Sequence, residues 1–179
     1  MARLLQISQL GHPVLRDRAK EVEDVADPAM QALIDDMIET CRDVDGVGIA
    51  APQVYRSLRL FIVASRPNPR YPQAPQMKPL AMINPVLLSV GEEAVKDWEG
   101  CLSIPGIRGH VPRHRTVTVS FTHRDGRREE RTFDGFLARI VEHEFDHIEG
   151  RVFLDRTAST DLATEKEFQK WLRVRPPAD

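Results

Sequence analysis

Two histidines four residues apart, His143 and His147, with Glu144 beside the first, constrain this chain more than any other feature. An α-helix of 3.6 residues per turn puts positions i and i+4 on one face; a strand would hold them about 13 Å apart. A helix therefore lets both imidazoles share a single metal ion. Glu144 then projects toward an open coordination position, where a water molecule needs a base. The plain alternative is an amphipathic helix that shows two histidines to solvent. The surrounding sequence predicts that this helix opens at Gly135, turns Leu137, Ile140, Val141 and Glu144 inward, and ends at Gly150.

A chain of 179 residues fits one domain, expected here over residues 1–179, and can bury a substantial core. Hydrophobic content of 41% and charged content of 29% are those of an ordinary globular protein. A net charge of -2 exerts no general attraction on polyanions, so nucleic acid is not an expected partner. No apolar run approaches the ~20 residues that span a bilayer. The opening Met1–Ile7 stretch lacks the apolar core of a signal peptide and runs almost at once into patterned sequence. Cytoplasm is the expected compartment, with an organelle as the alternative if a presequence has been removed.

The two cysteines are too few for a disulfide framework. Cys41 ends an apolar helical stripe and reads as a buried, inert thiol. That stripe, Met30, Leu33, Ile34, Met37, Ile38 and Cys41, predicts a helix over 27–43, capped by Asp27 with Pro28 in its first turn. Leu60–Ala64 reads as a buried strand. Five prolines between Ser65 and Leu80 make that stretch a loop. Strand patterning resumes at Ala81–Asn84 and is expected again around 93–101, 116–122 and 129–133. Arg124-Asp125-Gly126-Arg127 predicts a type I′ hairpin turn between the last two. Thr160–Arg173 reads as a short amphipathic helix. Strands in the middle with helices at either side predict an α+β domain. Its antiparallel or mixed sheets would surround a central helix carrying the two histidines, with one helix before and a short one after.

Two histidines need a third protein ligand to make a tight catalytic site with one position left for water. In a metzincin-type peptidase the pattern would continue as HExxHxxGxxH, and Gly150 fits, but the third histidine position is Phe153. A thermolysin-type site would use a downstream glutamate, for which Glu165 and Glu167 stand at a tolerable separation on what reads as a solvated helix face. Cys101 is the third candidate. It lies in Glu99-Gly100-Cys101-Leu102-Ser103, where a thiolate is a strong ligand for Zn²⁺ or Fe²⁺ beside a glycine that lets the backbone come close.

Three separate segments resemble the signature motifs of the peptide deformylase family. Gly46-Val47-Gly48-Ile49-Ala50-Ala51-Pro52-Gln53 matches GxGxAAxQ, Glu99–Ser103 matches EGCxS, and His143–His147 matches HExDH, in the family's order. The similarity extends to Gly11–Arg16 and Ile83-Asn84-Pro85, and covers about residues 4–155. One departure is Glu142, where many members carry glutamine just before HExDH. An acidic group there would change local electrostatics without replacing an expected ligand.

The resemblance implies a metallohydrolase that removes the formyl group from N-terminal formylmethionine of new polypeptides. It implies Cys101, His143 and His147 as ligands of one divalent ion, Fe²⁺ as the native choice, with Zn²⁺, Ni²⁺ or Co²⁺ compatible with the donor set. It implies Glu144 as general base and acid, and Gln53 with the backbone N–H of Leu102 as donors to the oxyanion. Gly46, Gly48 and Gly100 would leave room for the formyl end of a peptide added as an extended strand. Ile49, Leu102, Ile140 and Phe136 are candidates for the wall of a methionine pocket, and Arg108 for a contact with the peptide backbone or carboxyl end. Around the metal, Glu99 would support the cysteine loop through backbone hydrogen bonds and Arg113 would pair with Asp146. Some members carry a long basic tail; here Arg173 and Arg175 are the only basic residues near the terminus, so ribosome docking is only weakly implied.

Overall fold

The computed structural model describes residues 2–172, so Arg173 and Arg175 lie outside the described residues. A first helix, α1 (Pro28–Asp43), begins with the Asp27 carboxylate accepting from the Ala29 N–H at 2.8 Å. Strands β1 (Gly48–Ala50), β2 (Leu60–Val63), β3 (Leu80–Val90), β4 (Ala94–Cys101), β5 (Ile104–His114), β6 (Thr116–Thr122) and β7 (Arg128–Asp134) follow. The second helix, α2 (Gly135–Ile148), carries both histidines, and a short strand, β8 (Leu162–Thr164), comes after it. All strand pairs are antiparallel, in a five-stranded sheet of order β1-β2-β3-β6-β7 and a three-stranded sheet of order β4-β5-β8. This is the α+β architecture expected from the sequence. Among the described residues, no helix is long and apolar enough to cross a membrane.

The continuous apolar run at β2 is explained by burial on both sides. Phe61 and Val63 join the core beneath α2 with Met82, Val119 and Ile140, while Leu60 and Ile62 join the core beneath α1 with Ile34, Met37 and Ile83. Period-2 alternation sends successive side chains to opposite faces, so the β1–β3 part of the sheet separates the two helices. Cys41 is fully buried in the α1 core, and burial pushes its thiol up to about 12. It is an inert packing residue at neutral pH.

Three local expectations need correction. First, β5 was not expected as a strand, because Pro105, Gly106, Gly109 and Pro112 interrupt its pattern. Only Arg108 and Gly109 pair with both β4 and β8, and both prolines lie outside that doubly paired span. Second, the 124–127 hairpin is present, but only Gly126 has positive φ (84°). The Gly126 N–H donates to the His123 carbonyl at 3.0 Å, giving a type I turn followed by a left-handed glycine rather than type I′. Third, the predicted helix from Thr160 begins only at Glu165. Leu162–Thr164 instead pair with β5, because a sheet edge was available to take them, and a helical turn follows over Glu165–Glu167 and Phe168–Leu172.

The C-terminal end of α2 is closed by a Schellman arrangement. The Arg151 N–H donates to the Asp146 carbonyl (2.8 Å) and the Gly150 N–H to the His147 carbonyl (3.2 Å). Gly150 has φ 74°, and a Cβ there would lie 2.5 Å from the Arg16 carbonyl oxygen. Gly150→Ala is therefore expected to destabilise the fold by about 1–3 kcal/mol. A fall in the urea midpoint at unchanged slope checks this; an unchanged midpoint contradicts it.

Candidate metal centre

Cys101 ends β4, and its pairing with Ile104 leaves only Leu102 and Ser103 in the turn to β5. The tip of this hairpin reaches the inner face of α2, where His147 Nε2 stands 3.3 Å from Cys101 Sγ. Cys101, His143 and His147 each offer one ligand atom, all within 4.8 Å of one another. Tetrahedral ligation with metal–sulfur and metal–nitrogen bonds near 2.3 and 2.0–2.1 Å requires donor separations of roughly 3.5 Å. The donor set therefore fits a divalent metal by chemistry and by spacing. Glu165 is not in this group: both its carboxylate oxygens bond the Arg108 guanidinium, at 2.6 and 3.2 Å.

Charge at the centre is organised for an anionic sulfur. Burial raises the Cys101 thiol, but the charges and hydrogen bonds of His147 and His143 outweigh it and hold the thiol well below its ordinary range. Burial likewise disfavours charge on His143, yet its bonds to Cys101 and Glu99 raise it well above the usual imidazole range. Glu99 Oε2 is 2.9 Å from His143 Nδ1, which leaves the other ring nitrogen free to face the ion. This differs from the expectation that Glu99 would bond the cysteine loop's backbone. His147 Nδ1 and Glu144 Oε2 are, among the described residues, the buried side-chain atoms without a hydrogen-bond partner.

Glu144 lies beside both histidines in sequence and is 4% exposed. Burial pushes its carboxyl up to about 7, with the histidines pulling down and Cys101 and Glu99 pushing up. A Cβ at position 48 would sit 2.5 Å from Glu144 Oε1 and 2.9 Å from Ile140 Cγ2, so Gly48 is what lets the carboxylate occupy this place. A Cβ at position 46 would similarly meet Cys41 Sγ at 3.0 Å. The space beside both glycines is therefore taken by the protein's own side chains rather than reserved for a ligand alone.

Gln53 stands in the turn after β1 (Ala51–Val54) and is fully oriented. Its Oε1 accepts from the Ala50 N–H (2.9 Å), and its Nε2 donates to Cys101 Sγ (3.4 Å) and Ser103 Oγ (3.2 Å). Leu102, Ile140 and Phe136 line a cleft beside the metal centre, together with His143 and Glu144. Ile49 does not: it is fully buried in the α1 core, on the face of β1 away from the cleft. Arg108 does not line it either. It lies beneath Gly100, 3.0 Å from where a Cβ would be, and is bonded to Glu165 and to the Tyr71 hydroxyl (3.2 Å). The expected peptide contact is thus replaced by an internal tether.

A buried ionic network supports the centre. Arg113 bonds Glu99 through Nε (2.9 Å) and Nη2 (3.1 Å), and Asp146 through Nη1 (2.6 Å). Two members escaped the sequence reading: Arg139, 2.8 Å from Glu99, and Arg156, 2.5 Å from Asp146. Arg139 stands four residues before His143, one turn away on the same face of α2, which is the one local signal that it belongs to the centre. Glu142, the departure from the family pattern, accepts from the His114 N–H and Nδ1, both at 2.8 Å, and so ties α2 to the end of β5. Tyr71, Arg70 and Trp98 also line the cleft, two of them from the proline-rich loop.

A family model described as polypeptide deformylase matches residues 4–163. The chain belongs to the polypeptide deformylase family. It is 55% identical over 168 residues to peptide deformylase 2 of a Nostoc species, covering 93% of this chain and 94% of that one. It is 45% identical over 150 residues to peptide deformylase 1 of Bordetella pertussis, covering 84% and 85%. Among solved structures it resembles the Met-Ala-Ser-bound class I type b enzyme of Acinetobacter baumannii, with a TM-score of 0.84 and 44% identity over 87% of this chain and 99% of that one. Family membership and the Cys101–His143–His147 cluster together assign a divalent metal to the centre.

Asp146 supplies a pH test of the network. Burial opposes its charge, but hydrogen bonds from Arg156 and the charge of Arg113 hold its carboxyl below the ordinary range. A depressed carboxylate contributes stability above its unfolded value, near 4, and loses it as pH falls through the folded one. Asp146→Asn should therefore be less stable than the parent at pH 7, with the gap closing on acidification below about pH 4. Urea midpoints across that range check it; a gap independent of pH contradicts it.

Proposed function

We propose that this protein removes the formyl group from N-terminal formylmethionine of nascent polypeptides and releases formate. The observation that carries this is the meeting of a thiolate, two imidazoles and a buried carboxylate with an unpartnered oxygen beside a cleft that His143 and Glu144 help to line. When bound, a divalent ion supplies Lewis-acid polarisation and acidifies a water molecule from 15.7 to about 7. Cys101, His143 and His147 would hold that ion, and Fe²⁺ is the native ion we propose, on the family resemblance. The protein would work in the cytoplasm, where new chains emerge.

Glu144 takes the attacking water's proton and later delivers it to the departing amine. A carboxyl raised to about 7 is suited to both halves of that task near neutral pH. Its acid limb should lie no higher than pH 7, because a bound cation pulls in the same direction as the charged histidines. Gln53 Nε2 and the Leu102 N–H would donate to the carbonyl oxygen as negative charge develops on it; the Ala50 N–H already fixes the amide plane of Gln53 through Oε1, and one Nε2 hydrogen turns to the substrate from Cys101 Sγ or Ser103 Oγ. Leu102, Ile140 and Phe136 take the methionine side chain, whose burial is worth roughly 1.5–3 kcal/mol.

Two experiments test this reading. Cys101→Ala should lose bound metal by elemental analysis while Glu165→Ala retains it; the reverse result would identify a metallopeptidase-type site instead. After anaerobic metal loading, Glu144→Gln should keep the ion and lower formate release from a formyl-Met peptide by about 10²–10⁴-fold. Gln53→Ala should raise the barrier by about 2.7–4 kcal/mol. Undiminished formate release in Glu144→Gln is the result that sinks the mechanism.

A further inference from the structure

The cleft has a charge that the chemistry does not use. Its lining includes five ionisable side chains of interest: Arg70, Glu99, Arg139, His143 and Glu144. Glu99 is consumed by Arg113, Arg139 and His143, and Arg139 spends its guanidinium on Glu99 and the Val95 and Val111 carbonyls. His143 and Glu144 belong to the metal centre. Arg70 is different: it makes no ion pair with any described residue, and its recorded partner is the Tyr71 ring, 5.9 Å from Cζ to centroid. Glu165, the acidic group whose charge it feels, is committed to Arg108 and Gln169.

Arg70 is also held in a built loop. The Asn68 side chain, itself buried, accepts from the backbone N–H groups of Arg70 and Tyr71, both at 2.9 Å. The Tyr71 ring in turn packs against Phe136, 5.3 Å between centroids. Phe136 and Glu144 are eight residues apart on α2, about 12 Å along the helix axis at 1.5 Å per residue. The Tyr71–Phe136 contact therefore marks the outer rim of the methionine pocket, at the end of the cleft away from the chemistry. An extended chain advances about 3.3 Å per residue, so a peptide with its formyl carbon at Glu144 has its second and third residues near Arg70.

We propose that Arg70 is a specificity-determining residue that favours formylated peptides with an acidic side chain at the second or third position. This rests on the deformylase reading above and adds the substrate preference of the same site. A half-buried guanidinium lining a cleft, with no ion pair to a described residue, attracts a carboxylate and repels an ammonium.

The test is kcat/KM for amidated formyl-Met-Xaa-Ala and formyl-Met-Ala-Xaa, with Xaa as Glu, Gln or Lys, on the metal-loaded protein. The expected result is a Glu-over-Gln preference of about two- to fivefold, the range of an exposed ion pair, with Lys below Gln. That preference should shrink as KCl is raised, vanish in Arg70→Gln and invert toward Lys in Arg70→Glu. A purely structural role for Arg70 would not invert it. Equal rates for all three residues, or a preference that survives Arg70→Gln, overturns the proposal while leaving formate release intact. Failure of the parent protein to release formate from any peptide overturns the deformylase reading, and this inference with it.

Discussion

The buried carboxylate of Glu99 is the contact on which the rest of the centre depends. It receives two bonds from Arg113 and one from Arg139, and its Oε2 stands beside His143 Nδ1. Because Glu99 lies two residues before Cys101 on β4 and His143 lies on α2, this one group sets both sides of the metal site relative to each other. An isolated carboxylate at 4% exposure would be expensive to keep charged; here the surrounding cations hold it well below the usual carboxylate range. The network continues through Arg113 to Asp146 and Arg156, so α2 is anchored one residue before His147 as well.

The second buried carboxylate of the centre is treated in the opposite way. Glu144 is as buried as Glu99, but among the described residues it receives no arginine and its Oε2 has no hydrogen-bond partner. The same low-dielectric interior therefore produces two carboxyls of contrasting character. One is held well below the usual carboxylate range and stands beside a histidine of the cluster; burial pushes the other up to about 7. The difference is made by which neighbours converge, not by burial itself.

Much of this was legible in the residues. The spacing of His143 and His147 demands a helix, and the sequence itself places Cys101 among the candidates for the third ligand. The apolar stripe of α1 and the run at β2 were read close to their observed bounds. The errors share one physical cause. β5 hides behind its prolines and glycines because pairing partners, not its own pattern, make it a strand; Leu162–Thr164 leave a helix-compatible pattern for the same reason. Ile49 reads as pocket wall from its place in the first motif, and Arg108 as a peptide contact although it stands outside the motifs, but which face of a strand meets a cleft depends on what packs behind it.

Composition, spacing and motif order alone determined that this chain folds as an α+β protein of the deformylase family with a thiolate and two imidazoles for a metal. Those properties are carried by residue identity and by the fixed periods of helix and strand. Tertiary structure decided how the site is charged and where its cleft runs. Glu99 meets His143 rather than backbone, Arg108 is tethered by Glu165, and Arg70 lines the cleft without an ion pair to any described residue. Partner choice among so many arginines and carboxylates depends on distances across elements far apart in the chain, and no local pattern encodes those distances.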